Sequence, residues 1–423
     1  ETFTDAKEYG SILSIPKPLA DALDALGENP FGGETALGVD AENLQRLAAQ
    51  AKIMARKYDV VVTNPPYMGS SGMGARLAEF VKKQYPDSKS DLFAVFMERG
   101  HEYAKANGYL AMITQHAWMF LSSFEKLRAK LMEIDTVNMA HLGARAFEEI
   151  GGEVVQTTAF VMQNRHVHGF KGMYARLIEP TTQDGKEEMF LDGQNRFSAR
   201  QDNFEKIPGA PVAYWVSEKL IEAFEKGKIN EYGFTKKGMF TGNNDFWLKL
   251  WYEINVNKMG NQFMPYNKGG EYRKWYGNND YIINWGNDGK KIKEFKGSGN
   301  INEEFYFQSC ITWNLITSSK ESYRLICDDK HVMGDAGPTF IPNNTENRFY
   351  FLALLNSIII EKANQIINPT INCSSGVVAT FPATICKEKY VDVNNLAQMN
   401  VEESKEDWDS FETSWDFKKH PLI

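Results

Sequence analysis

Apolar residues recur at three- and four-residue intervals between Ala41 and Arg56, at Leu44, Leu47, Ala48, Ala51 and Met54/Ala55, which predicts an amphipathic helix. From Tyr58 to Val62 the period changes. Nearly every position there is β-branched or aromatic, the pattern of a strand buried on both faces, and the helix before it is expected to pack on the sheet. The run from Asp91 to Ala104 reads as a helix and Gly108 to Thr114 as a buried strand. Ser123 to Met132 and Thr136 to His141 repeat that order, and Val154 to Met162 supplies a late strand. Strands alternating with helices at this spacing predict an α/β fold with a doubly wound, mostly parallel, Rossmann-like sheet.

From His166 to Pro211 the periodicity lapses, and the segment reads as a linker or strand-poor crossover. Val212 to Lys226 looks helical, and Phe349 to Ile367 has the long apolar period of a bracing helix that ends before Asn368-Pro369. The tail from Val391 is acidic, with Trp408, Phe411 and Trp415 at three and four residues, as in an amphipathic helix that seeks a partner domain. The expected division is 1–165, a linker at 166–235, a second mixed α/β domain at 236–390, and the acidic tail at 391–423.

A chain of 423 residues is too long for one ordinary core, which agrees with that division. The aromatic share of 13% favours large buried or stacking surfaces. No apolar run is long enough to cross a bilayer, and the N-terminus lacks a basic-then-apolar signal layout, so a cytoplasmic location is expected. Cys310, Cys327, Cys373 and Cys386 lack C-x-x-C spacing and read as free thiols, and His166-x-His168 has no nearby cysteine to complete a metal set. A formal net charge of −8 argues weakly against a nucleic-acid partner, because such binding depends on local surface. Acid gathers at Glu402, Glu403, Glu406, Asp407, Asp409, Glu412 and Asp416, whereas Lys236 to Lys296 is rich in Lys, Arg, Trp, Tyr, Asn and Gly. That mixture suits phosphate contact and base stacking, and equally a hydrated loop surface.

The candidate chemistry sits where the Tyr58 strand stops, at Asn64-Pro65-Pro66-Tyr67. Neither proline offers an N–H to a ladder, and Pro65 keeps Asn64 out of the helical region, so the chain is rigid just beyond the strand's carboxyl end. Ligands of open α/β sheets bind there. The turn suits an amino group conjugated to an aromatic ring, whose lone pair is delocalised and weakly nucleophilic. The Asn64 side-chain oxygen and the Pro65 carbonyl can each accept one N–H, Pro66 stiffens the turn, and Tyr67 offers a ring to stack on. Beyond it, Gly69 to Gly74 is a small, flexible stretch that can serve as a loop, a lid or an anion cradle.

Asn-Pro-Pro-Tyr after a hydrophobic strand resembles the catalytic signature of the adenine-N6 DNA methyltransferases. The longer run Val60-Val-Val-Thr-Asn-Pro-Pro-Tyr-Met-Gly69 is similar to the PglX-type enzymes of the bacterial phage-defence systems called BREX. The resemblance implies methyl transfer from S-adenosylmethionine to adenine in duplex DNA after base flipping, with other phage-defence proteins as possible partners. It also implies an upstream glycine-rich cofactor loop. None is found before Asn64, so the chain is expected to be a fragment lacking that loop.

In such enzymes a late strand or the turn before it delivers an aromatic that sandwiches the adenine against the signature tyrosine, and Phe160 and Phe147 are the candidates, each equally suited to the core. Lys237 to Trp251, Lys268 to Gly277 and Ile311 to Ser319 resemble the family's target-recognition domain, with Gly242 to Asp245 as its first turn. Arg273, Lys274, Trp275 and Tyr276 place cations beside rings, and Ser318, Ser319, Lys320, Ser322 and Arg324 form a second set of phosphate donors. A carbohydrate-binding surface uses similar aromatics. The competing reading is a catalytically incomplete DNA-recognition or interaction module. An RNA or protein-glutamine methyltransferase is disfavoured by the recognition blocks, and a nuclease by the lack of a Pro-Asp…Glu/Asp-x-Lys set.

Overall fold

Proline ends the first strand: β1 spans Tyr58–Thr63 in a computed structural model that describes residues 3–25, 41–147, 155–317, 320–326, 328–368, 370–420 and 422–423. The chain divides into two units, Glu1–Val216 and Ser217–Ile423. In the first, the short helix α1 (Ala6–Tyr9), α2 (Lys17–Ala25) and α3 (Ala41–Ala55) precede β1. The helix expected at 41–56 is present as α3. Its buried Ala48 and Ala51 join Leu23 of α2 and Ile15 in a small apolar cluster.

After β1 come α4 (Ala75–Gln84), α5 (Leu92–Tyr103), β2 (Ala104–Gln115), α6 (Glu125–Leu131), β3 (Asp135–Gly143), β4 (Thr157–Gln163), β5 (Lys171–Arg176), α7 (Gln183–Leu191) and β6 (Arg196–Arg200). The six strands form one sheet in the order β1-β2-β4-β3-β5-β6. Pairs β1–β2 and β3–β5 are parallel, whereas β2–β4, β3–β4 and β5–β6 are antiparallel. The sheet is therefore mixed rather than mostly parallel. Periodicity places a strand without giving its direction, and β4 inserts antiparallel between β2 and β3.

One face of the sheet carries the core. Leu110 and Met112 of β2, Met139 of β3, Phe160 and Met162 of β4 and Tyr174 of β5 pack against Phe93 and Met97 of α5, Leu127 and Leu131 of α6, and Trp118. Alternate residues point the other way. Ala111, Ile113, Asn138, Ala140, Ala159, Val161 and Met173 line an open cavity of about 530 Å³, bounded by Val62, Asn64, Phe190 of α7 and Arg196 of β6. β1 is not buried on both faces as its composition suggests. Val61 packs on the core, but Val60 is 57% and Val62 71% exposed, because β1 is an edge strand and the face they share is uncovered by described residues.

The segment 166–211 is not a linker: it holds β5, α7 and β6 and closes the sheet. Gln201 ties it down. Its side-chain oxygen accepts from the Thr136 N–H at 3.1 Å, and its amide donates to the carbonyls of Leu131, Met132 and Ile134 at 3.2, 3.3 and 2.6 Å. Arg128, 1% exposed, likewise donates to the carbonyls of Trp118, Leu121 and Gly209. The helix expected at 212–226 starts late, as α8 (Glu218–Lys226) capped by Ser217. Val212 to Tyr214 are instead buried irregular chain, with the Val212 N–H donating to the Met119 carbonyl at 2.9 Å.

The second unit is a mixed α/β body with two four-stranded sheets, ordered β13-β9-β10-β8 and β12-β11-β14-β7. Their strands are β7 (Gly233–Lys236), β8 (Leu248–Leu250), β9 (Phe263–Asn267), β10 (Tyr281–Asn284), β11 (Cys310–Thr312), β12 (Arg324–Ile326), β13 (Val332–Met333) and β14 (Thr339–Pro342). Two single turns of helix, α9 (Asn244–Trp247) and α10 (Lys290–Lys293), lie among them. The helix read from Phe349 to Ile367 is two, α11 (Arg348–Leu355) and α12 (Ile358–Ile367). They break at Asn356, whose side chain exchanges hydrogen bonds of 3.1 and 2.9 Å with the Tyr323 backbone, and Ser357 then caps α12.

After α13 (Ser375–Ala379), the acidic tail forms α14 (Tyr390–Asp409) and packs along α11 within the same unit. Trp408 is 7% exposed and covered within this unit, whereas Phe411 is 48% exposed. Among the described residues no helix is long and apolar enough to cross a membrane. Cys310 and Cys373 are buried and Cys386 is exposed, while Cys327 lies outside the described residues.

Candidate active site

The parallel register of β1 and β2 pairs Thr63 with Met112, so Asn64 leaves the sheet level with Ile113 at the carboxyl edge. Within the turn Asn64 and Pro66 are exposed, Pro65 is buried and Tyr67 is half-buried. The Tyr67 ring meets Phe93 edge-on at 6.1 Å, and its hydroxyl donates to the Ile113 carbonyl at 3.4 Å. Burial, with a smaller contribution from nearby Asp91, pushes the Tyr67 phenol up to about 12, so it stays neutral and keeps its proton to donate.

The chain leaving the turn is zipped to the start of α5. Gly69 and Asp91 form an antiparallel bridge, Ser70 N–H donates to the Ser90 carbonyl at 3.0 Å, and Leu92 N–H donates to the Met68 carbonyl at 3.0 Å. The Gly69 to Gly74 stretch is thereby a held loop with one 3-10 turn, Ser70–Gly72. Of the two stacking candidates, Phe160 is 2% exposed, lies edge-on to Trp118 in the core, and is among the residues that line the cavity beside Asn64. Phe147 is half-buried beyond the carboxyl end of β3.

Sequence reading missed a buried polar chain at the same carboxyl edge. His116, just past β2, brings Nδ1 to 2.8 Å from His141 Nε2, and His141 Nδ1 lies 3.0 Å from the Tyr214 hydroxyl. Burial lowers His116 to about 4; burial and then His116 lower His141 to about 3. Both rings are neutral at pH 7, so one ring can donate where the other accepts. Residues so far apart in sequence leave no local signal. His166 and His168, by contrast, face carboxylates: His166 lies 3.6 Å from Asp135 and 3.8 Å from Asp202, and His168 lies 3.2 Å from Asp202.

The residues singled out for DNA contact are largely engaged inside the second unit. Arg273 pairs with Asp407 at 2.8 Å and lies over the Trp408 ring at 4.9 Å. Lys274 donates to the Asn356 carbonyl at 3.2 Å, and Lys320 pairs with Glu361 at 2.8 Å. Trp275, at φ +72°, is fixed by backbone bonds to Tyr323 and Leu325. Tyr276 is 8% exposed beneath the Lys405 ammonium at 5.2 Å. Arg324, expected at a surface, is 1% exposed and donates to the Asn314 side chain at 2.9 Å; Ser322 is buried too. A run of serines and cations describes a folded polar interior as well as a surface, and Ser322 and Arg324 lie in the interior here. Ser318 and Ser319 lie outside the described residues.

Residues 25–142, which include the turn, match the family model described as Eco57I restriction-modification methylase. All of the chain aligns with the adenine-specific methyltransferase PglX of Lacticaseibacillus casei (strain Zhang), 40% identical over 454 residues and covering 38% of that protein. It aligns equally with the adenine-specific methyltransferase BrxX of Escherichia coli O9:H4 (strain HS), 41% identical over 443 residues and covering 36% of it. The chain is thus similar along its whole length to PglX and BrxX. It spans well under half the length of either. Among solved structures, the type IIL restriction-modification enzyme MmeI in complex with DNA shares the fold, with a TM-score of 0.53 at 14% identity over 92% of this chain and 54% of that one. The PglX likeness thus extends across both units, and the Asn64 turn falls within the part that the methylase model also matches.

Proposed function

We propose that the intact protein is an adenine-N6 DNA methyltransferase of a bacterial phage-defence or restriction-modification system, acting on a base flipped out of the duplex. The observation that carries this is the rigid Asn64–Tyr67 turn at the carboxyl edge of the sheet, in a chain 40% identical throughout to a protein named as an adenine-specific methyltransferase. Asn64, exposed and extended by its proline neighbour, accepts one amine N–H on its side-chain oxygen, and the Pro65 carbonyl accepts the other. The nitrogen is thereby drawn toward a pyramidal geometry with its lone pair aimed away from the turn. Tyr67 stacks on the base and Pro66 holds the bend. Phe147, rather than the core residue Phe160, is the second stacking surface.

S-adenosylmethionine supplies the methyl group in such a reaction. The described residues do not fit it unaided: the cavity at Asn64 is lined mainly by alanines, Ile113, Val161 and Met173, with Thr63, Asn64, Asn138 and Arg196 as its polar members and, among the described residues, no carboxylate to receive ribose hydroxyls. That lining favours the second reading, in which this chain alone is a recognition or interaction module without turnover.

Labelled methyl transfer to unmodified genomic DNA tests both. The intact protein should transfer label, and Asn64→Ala in it should abolish transfer while DNA affinity stays within about twofold; loss of both together would remove the orienting role. Transfer by the intact protein but not by this chain alone is expected, and turnover by the chain alone would defeat the second reading.

A further inference from the structure

The geometry points to Asp91 as the positioning residue of the Asn64–Tyr67 turn, an inference that rests on the methyltransferase reading. Asp91 lies 24 residues beyond the turn's last member and is 9% exposed. One carboxylate oxygen accepts from two backbone groups at once: the Met68 N–H, immediately after Tyr67, at 2.9 Å, and the Phe93 N–H, in the first turn of α5, at 3.3 Å. Asp91 is thus the N-cap of α5 and also a tie between that helix and the exit of the turn. Phe93, on the far side of the same oxygen, is fully buried and carries the Tyr67 ring edge-on. A single side chain therefore sets the backbone after Tyr67 and the platform beneath it.

The turn needs such a tie. Pro65 and Pro66 fix φ but offer no N–H, so neither can donate a backbone hydrogen bond that ties the turn to the rest of the fold. β1 anchors the turn at its entrance, and the Asp91 carboxylate with the Met68–Leu92 and Ser70–Ser90 bonds anchors it at its exit. Without the carboxylate, rotation about the Tyr67–Met68 link shifts the stacking ring against the acceptors on Asn64 and Pro65. An angstrom of misplacement at reacting groups costs on the order of 100-fold in rate.

Capping and positioning can be separated by side-chain length. Serine caps a helix as well as aspartate does but is one atom shorter, and asparagine keeps both the reach and the acceptor oxygen. In the intact protein, Asp91→Ser should keep its melting temperature within a few degrees and its DNA affinity and KM within about twofold. Its kcat should fall roughly 10- to 100-fold, and Asp91→Asn should restore it to within about threefold. Hydrogen exchange in the peptide covering 64–70 should accelerate about tenfold in Asp91→Ser and stay near wild type in Asp91→Asn. A wild-type kcat in Asp91→Ser, or unchanged exchange at 64–70, overturns the positioning role alone. An intact protein with no methyl transfer at all overturns the methyltransferase reading and this inference with it.

Discussion

His116 and His141 are imidazoles held neutral by burial, and the consequence reaches stability. Their folded values of about 4 and about 3 lie below the ordinary 6.5, so as pH falls the unfolded chain takes up protons first. The stability they support is complete above pH 6.5 and is lost as pH drops toward 4, at about 1.4 kcal/mol per pH unit for each ring. Denaturation of this chain at pH 7.5 and 5.5 should show that loss, and His141→Asn should flatten it even though the variant is less stable at both. A slope unaltered in the variant would mean that other groups carry the acid sensitivity. None of this was legible in the sequence: the pair forms because β2 and β3 are held in one sheet with β4 between them, a fact of topology. The Asn64–Tyr67 turn was legible because its constraint is local, two prolines after a β-branched run.

At the scale of elements, local signals were faithful where a segment's own residues decide its shape and silent where neighbours do. α5, β2 and α6 follow their apolar period. β5 and β6, read as linker, are short and hold Lys171, Arg176, Arg196 and Arg200, as strands at the rim of a sheet can. α7 hides Lys186 at 4% exposure, with its ammonium donating to the carbonyls of Leu142 and Leu177 at 2.7 Å each, so its polar residue sits where the pattern expects an apolar one. α14 was readable as a helix, but its partner was not. Trp408 is covered by Arg273 and its neighbours, and the indole of Trp251 donates to the Thr413 carbonyl at 2.8 Å, stapling the chain after the helix. Trp408→Ala should destabilise the second unit by about 3 kcal/mol, the usual loss for a buried indole. Equilibrium denaturation checks this, and a loss under about 1 kcal/mol would show that α14 is a passenger.

At the scale of the whole chain, the contacts divide it between Val216 and Ser217, inside the segment that the lapse in periodicity marks as a linker. What periodicity could not show is which strand would lie outermost. β1, whose composition suits a central strand, is among the described residues the edge of its sheet, and Val60 and Val62 are exposed there. A strand of six residues with one edge unpaired among the described residues, valines on its face and no proline before Thr63 is a template for pairing with a second copy of itself. Prepared alone, this chain should self-associate as its concentration rises. Val62→Lys, which places a charge on that edge, should shift the association to higher concentration in sedimentation velocity; identical profiles would place the sticky surface elsewhere. The strand that delivers the turn is therefore also the segment that governs how soluble the chain is and how it must be handled.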